Sequence, residues 1–93
     1  MGPNKYVRLT AQNNFKAGPG VLYALYLETD GSNAATATIS DSTDAGTPIL
    51  TNMASPATGP CDARIFPEGV SFGDGLRLHA ITGTGAAVIA AFN

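Results

Sequence analysis

The alternation of hydrophobic and polar positions along the chain predicts short β-strands and no helix. Glycine and proline recur often, and no segment keeps apolar residues at a 3.6-residue spacing over three turns. Apolar residues instead recur at every second position in short runs bounded by turn-forming residues. The predicted strands are residues 5–10, 21–28, 34–40, 49–53, 61–66, 70–72, 75–82 and 86–92. Seven to eight antiparallel strands at intervals of about ten residues are typical of a single small β-sandwich or barrel, so the predicted class is all-β.

Two predicted strands have distinctive patterns. VLYALYLE, residues 21–28, has two largely apolar faces, Val21, Tyr23, Leu25 and Leu27 on one and Leu22, Ala24, Tyr26 and Glu28 on the other. We therefore expect one face to pack on the core and the other on a loop or a partner. AATATIS, residues 34–40, is predicted to turn Ala35, Ala37 and Ile39 inward and Thr36, Thr38 and Ser40 outward. Residues 11–20, with their asparagines and Gly18-Pro19-Gly20, are predicted to be a loop.

The glycine-rich stretch FPEGVSFGDGLRLHAITGTG, residues 66–85, could be a ligand-binding loop or the turns of a folded-back sheet. Its glycine clusters, Gly73-Asp74-Gly75 and Gly83-Thr84-Gly85, lie where the apolar alternation stops and restarts. Glycine and aspartate supply backbone conformations that turns need. The pattern therefore favours turns.

Length and charge narrow the function classes. Ninety-three residues make one domain with a small core, and association with neighbours would add to its stability. Charged residues are 13% of the chain, where about a quarter is typical, so much of the surface is neutral and suited to protein contact. The net charge is −2 and the five basic residues are dispersed, which argues against nucleic acid as a partner.

Few residues offer chemistry. His79 is the sole histidine, with no orienting carboxylate or nucleophile in a recognisable motif, and Cys61 is the sole cysteine. Asp41-Ser42-Thr43-Asp44 with Gly46 resembles a calcium loop, but the closing glutamate and flanking helices of an EF-hand are missing. An Asx-turn is the expected structure there, with an ion held by Asp41 and Asp44 left open. We predict no catalytic residue, no metal ligand and no cofactor, and therefore no enzyme.

No apolar run reaches membrane-spanning length, and residues 1–5 are polar and lack the apolar core of a signal peptide. We therefore expect no membrane contact and synthesis in the cytoplasm of the cell that makes the protein.

The order of elements resembles that of small virion proteins of tailed bacteriophages. The resemblance covers residues 16–92, in GPGVLYALYLETDGSNAATATISDSTDAGTPIL and, after a loop, FPEGVSFGDGLRLHAITGTGAAVIAAF. It depends on residues 23–27, Asp41, Gly46, Ile49-Leu50 and Gly75-Leu76.

This resemblance implies a jelly-roll-like β-sandwich that acts as a decoration or cement protein on the capsid surface. Its expected partners are copies of itself, in a trimer, and the major capsid protein. Residues 16–93 would form the sandwich, and residues 1–15 a strand or arm that reaches a neighbour. The alternative is a glycan- or receptor-binding sandwich of a head fibre or tail, which a cluster of Tyr6, Tyr26 and His79 would favour.

The predicted subunit or capsid contacts are exposed, mostly basic or aromatic residues and their loops. The residues are Lys5, Tyr6, Arg8, Phe15, Lys16, Arg64 and Arg77, and the loops are residues 15–20, 43–47 and 55–60.

Overall fold

A computed structural model describes residues 3–58 and 61–93 of the chain. These residues form eight antiparallel strands and no helix. The strands are β1 (Lys5–Leu9), β2 (Asn13–Ala17), β3 (Gly20–Glu28), β4 (Ala35–Ser40), β5 (Ile49–Ser55), β6 (Ala63–Phe72), β7 (Gly75–Thr82) and β8 (Ala87–Phe92). The all-β prediction is confirmed.

The strands pair as one long antiparallel ribbon that is wrapped around itself. The ribbon pairs are β1 with β8, β2 with β7, β3 with β6 and β4 with β5. Further pairing of β8 with β3 and of β7 with β4 produces sheet 1, in the order β1-β8-β3-β6, and sheet 2, in the order β2-β7-β4-β5. Two four-stranded sheets built in this way are a jelly roll, as predicted.

The core lies between the two sheets and is filled by alternate residues of their inner faces. Its largest fully buried side chains are Phe72, Phe92, Leu22, Leu25, Leu27, Ile39, Leu76, Leu78 and Val88. Sheet 1 contributes Leu22, Leu25 and Leu27 from β3 and Phe92 from β8. One continuous core explains how a chain of this length forms a single domain.

Two parts of the strand prediction were wrong. Residues 11–20 are not all loop, because residues 13–17 form the edge strand β2. Its one large apolar residue, Phe15, is the extra residue of a bulge and packs into the core, so no alternation is visible in the sequence. Residues 61–66 and 70–72 are not two strands but belong largely to the single strand β6.

Bulges also change which residues face inward. In β3, Tyr23 is an extra residue opposite β8, so Leu22 and Leu25 both face the core although three positions separate them. In β5, Leu50 is an extra residue opposite β4, and Ser40 beside this bulge is fully buried, not outward as predicted. Its hydroxyl donates a hydrogen bond of 3.0 Å to the carbonyl of Ala45.

The predicted glycine turns are confirmed. Gly73-Asp74 joins β6 to β7, and residues 83–86 join β7 to β8. Gly83 has a φ of 111°, a backbone conformation that residues with a Cβ atom rarely adopt. The glycine-rich stretch is therefore part of the sheet framework.

Candidate protein-contact surface

The outer face of sheet 1 is the most apolar exposed surface of the described chain. The register places two rows of side chains across its four strands. The first row is Tyr6, Ala91, Ala24 and Ile65, and the second is Arg8, Ile89, Tyr26 and Ala63. Ala87 and Glu28 extend the face at the end of β8 and β3. None of these residues belongs to the core cluster between the sheets.

In the first row the large side chains stand at the two edges with alanines between them, whereas in the second row Ile89 and Tyr26 occupy the middle. Tyr6 is 68% exposed, Ile65 56% and Tyr26 40%. Among the described residues these are three of the four large hydrophobic side chains that are exposed, and the fourth, Ile49, lies in β5 of sheet 2. Exposed apolar residues gathered on one face mark a contact surface, whereas scattered ones carry no such meaning.

Ala24 and Ala91 are buried although they point away from the core. Their neighbours on the same face of β8 and β3, Ile89 and Tyr26, have larger side chains, so the face is uneven. A partner with projecting side chains would complement such relief.

One ion pair lies at an end of the face. Arg8 Nε donates to Glu28 Oε1 at 3.3 Å, across β8, and both side chains are partly exposed. Charge is therefore confined to the margin of the face, and its middle is neutral. An apolar centre with a polar rim is the usual composition of a protein interface.

The outer face of sheet 2 differs in kind. It carries small polar and alanine side chains, and its threonines bond to neighbours on adjacent strands. Thr36 and Thr82 share a hydrogen bond of 2.5 Å, and Thr38 donates to Asn52 Oδ1 at 2.9 Å. Those hydroxyls are satisfied within the chain, so sheet 2 offers less to a partner than sheet 1.

A hollow adjoins the outer face of sheet 1 at the β6 edge. The pairing of β6 with β3 is interrupted between the pairs Leu22–Val70 and Ala24–Ile65. There, four residues of β6, 66–69, stand opposite the single residue Tyr23, so β6 bends away from β3. Gly69 permits this excursion with a φ of 82°, and a Cβ at Gly69 would overlap with Val21. Residues 65–70 line a shallow hollow of about 510 Å³ that is widely open to solvent.

The predicted contact residues fall in different places. Lys5, Tyr6 and Arg8 are all exposed on β1, an edge strand of sheet 1. The prediction that Phe15 is a contact residue was wrong, because Phe15 is only 8% exposed and belongs to the core cluster. The structure thus brings together only the β1 members of the predicted set.

The other three predicted residues bond within the chain. Lys16 donates to the backbone oxygen of Asn93 at 3.3 Å. Arg64 forms an ion pair with Asp62, and Arg77 donates to Asn14 and to the carbonyl of Thr43, both at 3.1 Å. Residues 43–47 are mostly exposed, whereas Gly59 and Pro60 of the predicted contact loop, like Met1 and Gly2 of the predicted arm, lie outside the described residues.

Sequence reasoning did not single out Ile65 and Ile89 as surface residues. The signal was present in the sequence of both strands. β8 is apolar at every position, and β6 has apolar residues on both of its faces. Only the strand order shows that these outward residues adjoin Tyr6 and Tyr26 on one face.

His79 lies in β7 of sheet 2 and is held by structural contacts. It is the extra residue of a bulge opposite β4, and its ring lies against Gly46, where a Cβ would approach it to 2.7 Å. Arg77 Nε donates to His79 Nδ1 at 3.3 Å. Tyr6 and Tyr26 are on the other sheet, so the three do not form the cluster that the glycan-binding alternative calls for.

The Asp41 carboxylate binds the backbone of the turn between β6 and β7. It accepts hydrogen bonds from the backbone N–H groups of Gly73 (2.9 Å), Asp74 (2.8 Å) and Gly75 (3.3 Å). These bonds, led by that from Gly73, hold the pKa of Asp41 below its ordinary value. Successive N–H groups of this kind form an anion-binding nest, here filled by the chain's own carboxylate.

The loop that follows Asp41 was predicted to contain an Asx-turn, but it is closed instead by a serine hydroxyl. Ser42 Oγ accepts from the N–H groups of Asp44 (3.0 Å) and Ala45 (2.7 Å). In residues 3–58 and 61–93, no group of three or more histidine, cysteine, aspartate or glutamate side chains is placed to hold a metal ion. Over the same residues, no helix is long and apolar enough to cross a membrane.

The chain matches no protein-family model, no curated protein sequence and no solved structure.

Proposed function

We propose that this chain is a non-enzymatic virion structural protein that decorates and stabilises a tailed-phage capsid as a homo-oligomer. The observation that carries the proposal is the apolar outer face of sheet 1, with Tyr6, Tyr26 and Ile65 exposed beside alanines. The jelly roll alone does not carry it, because one fold serves many functions. The resemblance of the element order to that of small virion proteins is the reason for proposing a capsid as the partner.

Stabilisation of a shell follows from mass action. A protein that binds only the assembled shell lowers the free energy of that state relative to free capsid subunits. An oligomer that contacts several capsid subunits at once dissociates slowly, because each contact holds the others at high effective concentration. The proposed partners are therefore the major capsid protein and further copies of this chain, at the capsid surface.

Capsids assembled without this protein provide the test. Purified chain is added at increasing concentration, and bound protein is measured by co-sedimentation together with the temperature at which the shells release their contents. We expect saturable binding and a higher release temperature. Failure to bind any such shell contradicts the proposal.

Two substitutions of exposed apolar residues test the surface. Tyr26→Ser removes an aromatic ring from the middle of the face, and Ile49→Ser removes a comparable exposed residue from sheet 2. If the face is used, Tyr26→Ser weakens shell binding on the order of tenfold, as loss of a central interface residue does, and Ile49→Ser leaves it unchanged. Equal effects of the two substitutions would contradict a role for this face.

A second candidate is a glycan- or receptor-binding module of a phage fibre or tail. It is favoured by the exposure of Tyr6 and Tyr26 on one face, since aromatic rings stack on sugars. The alanines between them supply no hydrogen-bonding side chains to orient a sugar. Binding of the purified chain to a glycan array, lost in Tyr26→Ser and kept in Ile49→Ser, would favour this candidate over the first.

A further inference from the structure

The two edges of sheet 1 carry complementary shapes. Tyr6 projects from β1 at one edge and is the most exposed large hydrophobic side chain in the described part of the chain. The hollow of residues 65–70 lies in β6 at the opposite edge. Its lining is mostly apolar, with Ile65, Phe66, Pro67 and Val70, and its volume of about 510 Å³ is ample for a tyrosine ring.

Tyr6 and the hollow also lie at the same position along the strand direction of sheet 1. Tyr6 pairs with Ala91, Ala91 with Ala24, and Ala24 with Ile65, which lines the hollow. Three strand spacings, or roughly 14 Å, separate the two ends of this row. Two copies placed side by side would therefore bring Tyr6 of one copy to the hollow of the next without a shift along the strand direction.

The charges at the two edges are opposite. β1 presents the exposed basic residue Lys5, since Arg8 is paired with Glu28, and the excursion of β6 presents the exposed acidic residue Glu68. Arg64 is the basic residue of β6, and it is occupied by Asp62 and by the carbonyl of Asn52 at 3.2 Å. Opposite charges at facing edges favour this orientation over one that pairs two β1 edges.

We propose that copies of this chain associate head to tail, with Tyr6 of one copy seated in the hollow of residues 65–70 of the next. This contact is the subunit interface of the homo-oligomer in the proposed function. The inference therefore rests on the part of the proposed function that states that the chain is a homo-oligomer. Because the two contacting surfaces differ, the association is heterologous, and a closed homo-oligomer built from this contact is a ring of three or more copies. The centre of the face, around Tyr26, stays open to another partner.

The mass of the full chain in solution, measured by light scattering and native mass spectrometry over a range of concentrations, is the first test. We expect a closed oligomer of three or more copies. Tyr6→Ser and Ile65→Ser should each raise the dissociation constant on the order of thirtyfold or more, as truncation of an interface anchor does. Ile49→Ser, equally apolar and exposed but in sheet 2, should leave the mass unchanged.

A mixing experiment tests the head-to-tail arrangement. The Tyr6→Ser protein keeps the hollow, and the Ile65→Ser protein keeps the tyrosine, so a mixture has one intact contact. We expect each variant alone to be monomeric and the mixture to contain pairs with one copy of each. Circular dichroism and thermal unfolding should show that both variants fold, because the two replaced side chains are exposed.

Charge reversal gives an independent measurement. Glu68→Lys should weaken association on the order of two- to fivefold, the size of a partly exposed ion pair, and addition of Lys5→Glu to the same chain should restore it. The effect of Glu68→Lys should diminish in high salt, because exposed charges are screened.

Several results would overturn the head-to-tail contact. They are a wild-type monomer at the highest concentration tested, a wild-type dimer that does not grow beyond two copies, or an oligomer that is insensitive to both Tyr6→Ser and Ile65→Ser. The capsid-binding test is separate. If the protein fails these tests but binds shells, the proposed function is retained and this interface is rejected. If the protein forms the ring but binds no shell, this interface is retained and the proposed function is rejected.

Discussion

Asp41 connects two parts of the chain that are distant in sequence. Its carboxylate, at the end of β4, accepts from three successive backbone N–H groups in the turn between β6 and β7, 32 to 34 residues later. The sequence predicted an Asx-turn or an ion ligand, because only neighbours along the chain are visible there. The turn that Asp41 holds could be found only after the strands had been arranged.

Asp41→Asn is expected to lower the free energy of unfolding by about 1–2 kcal/mol. The amide keeps the shape of the side chain but removes the negative charge, and hydrogen bonds to a charged acceptor contribute more than those to a neutral one. Urea unfolding at pH 7 measures the difference. Asp44→Asn is the control, because Asp44 is exposed in the adjacent loop and the Ser42 hydroxyl bonds to its backbone, which is unchanged.

The same contact predicts how stability depends on pH. The pKa of Asp41 is lowered in the folded state, whereas it returns to about 3.9 in the unfolded chain. Its contribution is therefore complete above that value and is lost as pH falls through the lower folded pKa. The stability difference between wild type and Asp41→Asn should shrink below pH 4, and a constant difference down to pH 2 would contradict this account.

β5 and β6 are brought together at one edge of the sandwich by side chains that cover exposed backbone. Asp62 Oδ2 accepts from the N–H of Ala54 at 3.1 Å, and Arg64 donates to the carbonyl of Asn52 at 3.2 Å. Both backbone groups belong to β5, an edge strand of sheet 2, and open edges of this kind can pair with other chains. The Asp62–Arg64 pair therefore covers part of an edge and links the two sheets.

Asp62→Ala should lower the free energy of unfolding by about 1 kcal/mol and increase aggregation. The substitution removes the acceptor for Ala54 and the partner of Arg64, which frees the β5 edge. Urea unfolding gives the first quantity, and light scattering during incubation gives the second. Asp74→Ala, which removes one exposed acidic side chain from the turn between β6 and β7, should leave both unchanged.

At the scale of the strands, sequence patterns predicted those in which apolar alternation continues for most of the length, and failed at β2 and β6 for two different reasons. β4 and β7 were placed within a residue of their bounds, since each keeps two-residue alternation for most of its length. β2 was missed because it has one large apolar residue, and β6 was split because Pro67 usually ends a strand. Pro67 is tolerated here because it lies in the excursion, away from the β3 ladder.

For the whole molecule, the sandwich could be predicted but its contact face could not. Eight alternating segments need two layers to bury one side of each, which fixes the class. β3 has two apolar faces, and alternation alone cannot say which is covered by the other sheet. That depends on the bulge at Tyr23 and on the wrapping that puts β8 between β1 and β3, so that Tyr6, Ile89 and Tyr26 meet on the outside.

The wrapped ribbon leaves a single core, so unfolding should be one cooperative transition that a single core truncation shifts. Phe92, in β8 at the centre of sheet 1, is 1% exposed and packs in the core. Phe92→Ala should cost about 3–5 kcal/mol, through lost burial and the cavity left behind. For a domain of this length, where 1 kcal/mol corresponds to about 4–8 °C, the melting temperature should fall by at least about 12 °C.

Near- and far-ultraviolet circular dichroism should report the same melting midpoint for the Phe92→Ala protein, because the packing of the buried phenylalanines and the strand content depend on the same core. Should that protein fail to fold, Phe92→Leu, with an expected cost of about 1–2 kcal/mol, measures the same site at lower severity. Ile49→Ala, on the exposed side of β5, should change the midpoint little. Two separate transitions, or a Phe92→Leu protein as stable as wild type, would contradict a single core shared by both sheets.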